Sequence, residues 1–247
     1  MWGIDVNNIS KTISLSDGKK EVVFENFSLK VGESEVLGVY GPNGCGKTTL
    51  LNMISGLVKP DSGEITVSPG KMGNGIAYIF QDFRNSLFPW MTVKDNIVFP
   101  LSLRKIKKKD INDRLDMIIS TIKIPFDLSK YPYQLSGGQQ QYIAILRGLI
   151  SEPGAMLIDE PFSALDHSNG MWLMEKIAEV LYDVKIPAVV VAHDIEHLMY
   201  IADRICFLSE KPTGIVMEKL INLDGLKGKS GLDKSAIGEL ILQRRLH

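Results

Sequence analysis

Cysteine is scarce in this 247-residue chain. The two present, Cys45 and Cys206, lie far apart, and the first sits inside a glycine-rich loop where a disulfide would obstruct a ligand. That usage points to a reducing, cytosolic compartment. An excess of either charge is also missing: 28 Lys and Arg against 29 Asp and Glu leave a formal net charge of -1. Such a balance offers no bulk field to hold a nucleic acid, and no nucleic-acid partner is expected. No apolar run approaches the ~18 residues of a spanning helix, and no basic-then-apolar leader opens the chain. A membrane role is therefore expected to come through a partner. Internal repeats are absent, and the one biased tract, "RKIKKKD" from Arg104 to Asp110, reads as a solvated loop and helix start.

What the chain does have is alternation. Short β-type runs, "EVLGVY", "GIAYIF", "AMLID", "AVVVAH" and "ICFLSE", recur between Glu35 and Glu210. Several are apolar on both faces, as buried parallel strands are. Between them Ile111, Leu115, Ile118, Ile119 and Ile122 repeat at helical spacing, as do Leu173, Ile177, Val180 and Leu181. Strand and helix in turn predict an α/β core built on a parallel sheet. Residues 86–147 break the rhythm with helix and no convincing strand, and read as a helical subdomain inserted into a single domain whose core is residues 1–85 and 148–247. The alternating pattern of "VVFENFSLKV" predicts an antiparallel β layer at the start. After Asp224 the chain reads as a loop and a last short helix.

Two phosphate-seeking turns stand in this frame. "GPNGCGKT" follows the strand ending at Tyr40 and opens a helical segment. Gly41, Gly44 and Gly46 let the backbone wrap phosphate, Lys47 has the reach for β and γ groups, and the Thr48 hydroxyl suits Mg²⁺. Asp159 ends a buried strand, where a carboxylate is costly unless it holds a metal or its water. Glu160 follows, placed to orient and deprotonate a water. Gln81 and His193 end two further strands, on the edge where parallel sheets bind ligands. The second turn, "LSGGQ" at Leu135–Gln139, presents bare N–H groups at a helix start.

The order "GPNGCGKT", Gln81, "LSGGQ", "MLIDE", "SALD" and His193 resembles the nucleotide-binding subunit of the ATP-binding cassette (ABC) transporters over nearly the whole chain. The resemblance implies a phosphate-loop NTPase core of RecA-like type and hydrolysis of ATP with Mg²⁺. It implies ATP contacts at Gly41, Pro42, Asn43, Gly44, Cys45, Gly46, Lys47, Thr48, Thr49 and Gln81. Metal-holding groups are implied at Thr48, Gln81 and Asp159, and catalytic roles for Glu160, His193 and Lys47. Ser136, Gly137, Gly138, Gln139 and Asp166 then serve the ATP of a second chain, so the second turn closes a γ-phosphate across a head-to-tail dimer, with itself or a close paralogue. The remaining implied partners are two membrane-spanning permease subunits and a solute-binding protein, with the chain peripheral on the cytoplasmic face of the cell membrane.

The segment "IFQDFRNSLFPWMTVKDNIVFPL" is similar to that of importers of the nitrate, sulfonate and taurine type, where it receives a helix of the membrane subunit; Leu87, Phe88, Pro89 and Trp90 suit such a groove. Ile13 stands where the family usually stacks an aromatic on adenine, and Tyr142, Leu146 and Gly148 replace the usual residues after the signature. A non-transport ATPase of the superfamily and a nucleotide-dependent interaction module are the competing classes. The short link between Lys47 and Ser136 disfavours the first, and Glu160 with His193 the second. Cys45, at a helix N-terminus beside Lys47, is expected to be a reactive thiolate that ATP shields.

Overall fold

The computed structural model describes residues 2–15, 18–69, 75–82, 86–104, 106–122, 124–163 and 167–221. The five apolar runs become β3 (Val36–Tyr40), β5 (Ile76–Ile79), β6 (Ala155–Asp159), β7 (Ala188–Val191) and β8 (Arg204–Leu208). They lie side by side in the order β5-β6-β7-β3-β8, and β9 (Ile215–Leu220) closes the edge. Pairing is parallel among the first five, and β9 runs antiparallel to β8. A second, antiparallel sheet has the order β2-β1-β4, from β2 (Lys20–Gly32), β1 (Trp2–Ser14) and β4 (Ser62–Val67). The expected antiparallel layer is present. Its third strand, "SGEITV", and β9 escaped the sequence reading because both are largely exposed and lack the apolar alternation that marks a half-buried strand.

Two hydrophobic bodies cover the six-stranded sheet. Because strand side chains alternate, Leu37, Val39, Leu157, Val189 and Cys206 face the antiparallel sheet and α1 (Lys47–Ile54). Met156, Ile158, Val190 and Ile205 face the helices on the other side. Those helices are α2 (Val93–Leu103), α3 (Lys108–Thr121), α4 (Gly137–Leu149), α5 (His167–Val184) and α6 (Ile195–Ile201). Leu173, Ile177, Val180 and Leu181 are all buried, as their spacing predicts. Of the apolar residues within α3 only Leu115 is fully buried, so that helix lies on the outside. The lysine run leads into this helix, with Lys107 as its N-cap and Lys108 and Lys109 in its first turn. No described helix is long and apolar enough to cross a membrane.

The insertion between β5 and β6 carries α2, α3, a short 3-10 turn (Pro132–Gln134) and α4, with no strand among its described residues. Asn96, fully buried in α2, ties down the segment before it: its side chain accepts from the Phe88 amide at 2.9 Å and donates to the carbonyls of Phe88, Met91 and Thr92. Arg147 of α4 donates to the Ser86 carbonyl at 2.6 Å and lies over the Phe88 ring. Leu87 is buried, whereas Trp90 is 70% exposed. A nearby groove of about 270 Å³ is lined by Phe80, Ser86, Pro100, Arg104, Arg147 and Ser151. Leu87–Trp90 do not line it, so Leu87 serves packing while Pro89 and Trp90 stand at the surface.

Candidate functional site

The carboxyl ends of β3, β5, β6 and β7 converge on a cleft of about 530 Å³ lined by Asn43, Gly44, Gly46, Lys47, Thr48, Thr49, Gln81, Asp159, Glu160, Ser163, Val191 and His193. This is the crevice where open parallel sheets bind ligands. The glycine loop runs from β3 into α1, and Gly46 shows why it must be glycine. Its φ is 113°, and a Cβ there would come 2.6 Å from Val23 Cγ1. No L side chain relieves both the backbone strain and the collision.

Lys47 is 7% exposed, and its ammonium donates to the Gly41 and Pro42 carbonyls at 2.8 and 2.9 Å. The loop thus holds its own cation in place. Thr48 Oγ1 donates to Asp159 Oδ2 at 2.9 Å, joining the first turn of α1 to the end of β6. Asp159 is buried, and burial is the main influence pushing its carboxyl above the usual range; the Thr48 bond and, further down, the Lys47 charge pull it back, while the Glu160 charge adds to the rise. Its second oxygen, Oδ1, is buried without a hydrogen-bond partner. An oxygen in that condition fits a cation or a metal-bound water.

Glu160, directly after β6, has φ 46°. For a residue with a Cβ this left-handed conformation costs on the order of 1 kcal/mol or more, and it turns the side chain toward the end of β7. There Glu160 Oε2 meets His193 Nδ1 at 2.6 Å. With the carboxylate accepting, the ring proton sits on Nδ1 and Nε2 is left for a further partner. His193 is the more exposed of the two, so its free edge opens on solvent. Ser163 donates to the Glu160 carbonyl at 3.0 Å and accepts from Gln81 Nε2 at 3.3 Å. Ser163 and Val191 are the lining residues that sequence reading missed; a serine in the turn after an acidic pair, like a valine in an apolar strand, carries no signal by itself.

The structure therefore gathers Lys47, Thr48, Gln81, Asp159, Glu160 and His193, drawn from across the chain, into one cleft. It does not bring the second glycine turn there. Ser136 is the N-cap of α4: its Oγ accepts from the Gln139 amide at 3.4 Å while Gln139 Oε1 accepts from the Ser136 amide at 3.0 Å, a reciprocal capping box. Gly137 and Gly138 form the first turn, and none of these residues lines the cleft. Asp166 lies outside the described residues. Ile13 packs against the core beneath the antiparallel sheet.

Cys45 requires a correction. It is 2% exposed and belongs to the hydrophobic body below the loop; its thiol packs beside Gly41, and its carbonyl accepts from the Thr213 hydroxyl. This side chain turns inward, into the core and away from the cleft, so the thiol faces no phosphate. Cys206 is also buried, and its thiol is pushed up to about 12, chiefly by burial and then by the Glu218 charge. We expect neither cysteine of the folded protein to react with a maleimide, with or without ATP, and both to react in denaturant. Peptide mapping that found rapid, ATP-sensitive label on Cys45 would restore the earlier expectation.

A strand, glycine loop and helix, facing a strand-end Asp-Glu pair across a cleft, define a nucleotide-binding ATPase of the phosphate-loop class. The ABC transporter family model matches residues 24–163. The chain is 39% identical to the aliphatic sulfonates import ATP-binding protein SsuB of Bacillus licheniformis over 208 residues, covering 83% of this chain and 79% of that protein. To the SsuB of Bacillus subtilis it is 33% identical over 238 residues, covering 95% and 91%. Its fold matches the bacterial ABC transporter cassette MJ0796, solved as a dimer, with a TM-score of 0.71 and 28% identity over 88% of this chain and 98% of that one. The chain belongs to the ABC transporter family, and it is the family's ATPase component.

Proposed function

We propose that this chain powers an importer, binding two ATP molecules between two head-to-tail copies and driving solute uptake through two membrane-spanning subunits on the cytoplasmic face of the membrane. The observation that carries the reading is the split between the two phosphate-seeking turns. The cleft holds one complete set of phosphate-handling groups, while Ser136, Gly137 and Gly138 offer amides and a hydroxyl that do not line it. A phosphate loop encloses one side of a triphosphate, and the signature turn of a second copy supplies the other.

Within the cleft, Lys47 and the loop amides bind the phosphates, and Gly46 permits their close approach. Thr48, Asp159 and Gln81 are the groups that would hold Mg²⁺, which would neutralise phosphate charge; the unpartnered Oδ1 of Asp159 is the feature that fits it. Glu160 accepts a proton from the attacking water. His193, held at Nδ1 by Glu160, presents Nε2 toward the γ-phosphate. Ser163 joins Gln81 to the Glu160 backbone, so movement of one is felt by the other.

Both SsuB relatives are named for aliphatic sulfonates, and we assign the solute to the sulfonate, nitrate and taurine class on that basis. The test is growth and uptake in the source organism. With Lys47→Ala in the chromosomal copy, growth on an alkanesulfonate as sole sulfur source should fail while growth on sulfate persists. Affinity purification from detergent-solubilised membranes should recover two membrane-spanning subunits per pair of these chains. Recovery of only soluble partners would reject the importer reading; normal sulfonate growth with lost nitrate uptake would reassign the solute.

A further inference from the structure

Strand alternation places Ile76 and Tyr78 of β5 toward the antiparallel-sheet side, with Ala77 and Ile79 toward the helices. On β6 the same side receives Ala155, Leu157 and, next in the alternation, Asp159. Tyr78 pairs with Leu157 in the parallel register, so Asp159 lies one same-face position further along the adjacent strand, a diagonal that an aromatic side chain spans. The Tyr78 ring is stacked on Phe80, centroids 4.2 Å apart at 25°, which limits its tilt.

Two buried atoms here lack a hydrogen-bond partner, and they are complementary: the Tyr78 hydroxyl, a donor, and Asp159 Oδ1, an acceptor. Each is costly alone. Neither atom makes a hydrogen bond in the structure, and Tyr78 sits on the face and the diagonal from which its side chain reaches Asp159.

We propose that Tyr78 is a positioning residue for the metal site, its hydroxyl donating to one lone pair of Asp159 Oδ1 and so fixing the carboxylate plane, while the other lone pair stays available to a metal or its water. The inference rests on the reading of Thr48, Gln81 and Asp159 as the metal-holding set, and it adds a reason why a second anchor is needed. In the structure Thr48 holds Asp159 by Oδ2. Were the Thr48 hydroxyl to serve a metal instead, that bond would be lost and Tyr78 would remain to orient the carboxylate. Outer groups of this kind govern metal affinity by about 10- to 100-fold.

The experiment measures how much Mg²⁺ tightens binding of a fluorescent, non-hydrolysable ATP analogue, as the ratio of Kd in EDTA to Kd in Mg²⁺, for the full chain. Tyr78→Phe keeps the stack on Phe80 and removes only the hydroxyl. It should leave the Kd in EDTA unchanged and shrink the Mg²⁺ gain by about 10-fold. Asp159→Asn should remove most of the gain, and adding Tyr78→Phe to it should change nothing further, since Tyr78 acts through Asp159. Loss of the gain in Asp159→Asn but not in Tyr78→Phe overturns this inference and leaves the metal site standing. A full gain in both overturns the metal-site reading and this inference with it. A purely structural hydroxyl would shift Tm in Tyr78→Phe with the gain intact, which also counts against the proposal.

Discussion

Glu160→Gln should bind ATP as the native protein does and hydrolyse it 10²- to 10⁴-fold more slowly, the usual cost of losing a general base. The substitution is nearly isosteric, and the amide can still meet His193 Nδ1 through its carbonyl, so the strained backbone at φ 46° and the hydrogen bond to His193 persist. What disappears is the capacity to accept a proton from water. Because turnover is blocked after both nucleotides are bound, the variant should also accumulate as an ATP-bound dimer on gel filtration. Single-turnover measurements separate the steps: normal binding with a slow chemical phase supports the assignment. A variant that hydrolyses at the native rate, or stays monomeric in saturating ATP, rejects both the base and the sandwich.

Ser136→Arg is expected to abolish turnover while leaving ATP binding to the monomer nearly unchanged. Ser136 does not line the cleft of its own chain, so a bulky cation there obstructs only a second copy's nucleotide. The residue also caps α4, and losing that cap costs roughly 0.5–2 kcal/mol. A thermal melt checks that the fold survives. Ser136→Asp preserves a capping oxygen and sets a negative charge against the phosphate, so it should fail in turnover without loss of Tm. Mixing gives the decisive result. Heterodimers of Ser136→Arg with Lys47→Ala place both lesions at one site and leave the other intact, so single-site hydrolysis should be retained in the mixture. Equal damage at both sites would exclude the head-to-tail arrangement.

Legibility followed local chemistry. The phosphate loop was readable because a tight anion-binding turn demands glycine, lysine and a hydroxyl at fixed offsets, and Gly46 shows how severe that demand is. The five parallel strands were readable because burial on both faces requires unbroken apolar runs. β4 and β9 were not, since exposed strands share their composition with loops. Asn96 and Thr213 were invisible for a related reason: a buried polar residue is defined by the partners that satisfy it, and those partners lie elsewhere in the chain. The reactive Cys45 expected from its neighbours failed because neighbours in sequence say nothing about which way a side chain turns.

The sequence by itself determined the fold class, the phosphate-binding loop, the strand-end Asp159, Glu160, Gln81 and His193, and the presence of a second glycine turn at a helix start. These depend on periodicity and spacing, which are properties of a few consecutive residues. Only the tertiary structure decided that Glu160 meets His193, that Thr48 holds Asp159, that Ser163 joins Gln81 to the acidic turn, and that Cys45 points into the core. It also decided that Tyr78 shares a face with Asp159 and that Ser136 lies away from its own chain's cleft. Each of these is a relation between strands or helices distant in the chain. Their distances are set by sheet order, register and packing, which no local pattern contains.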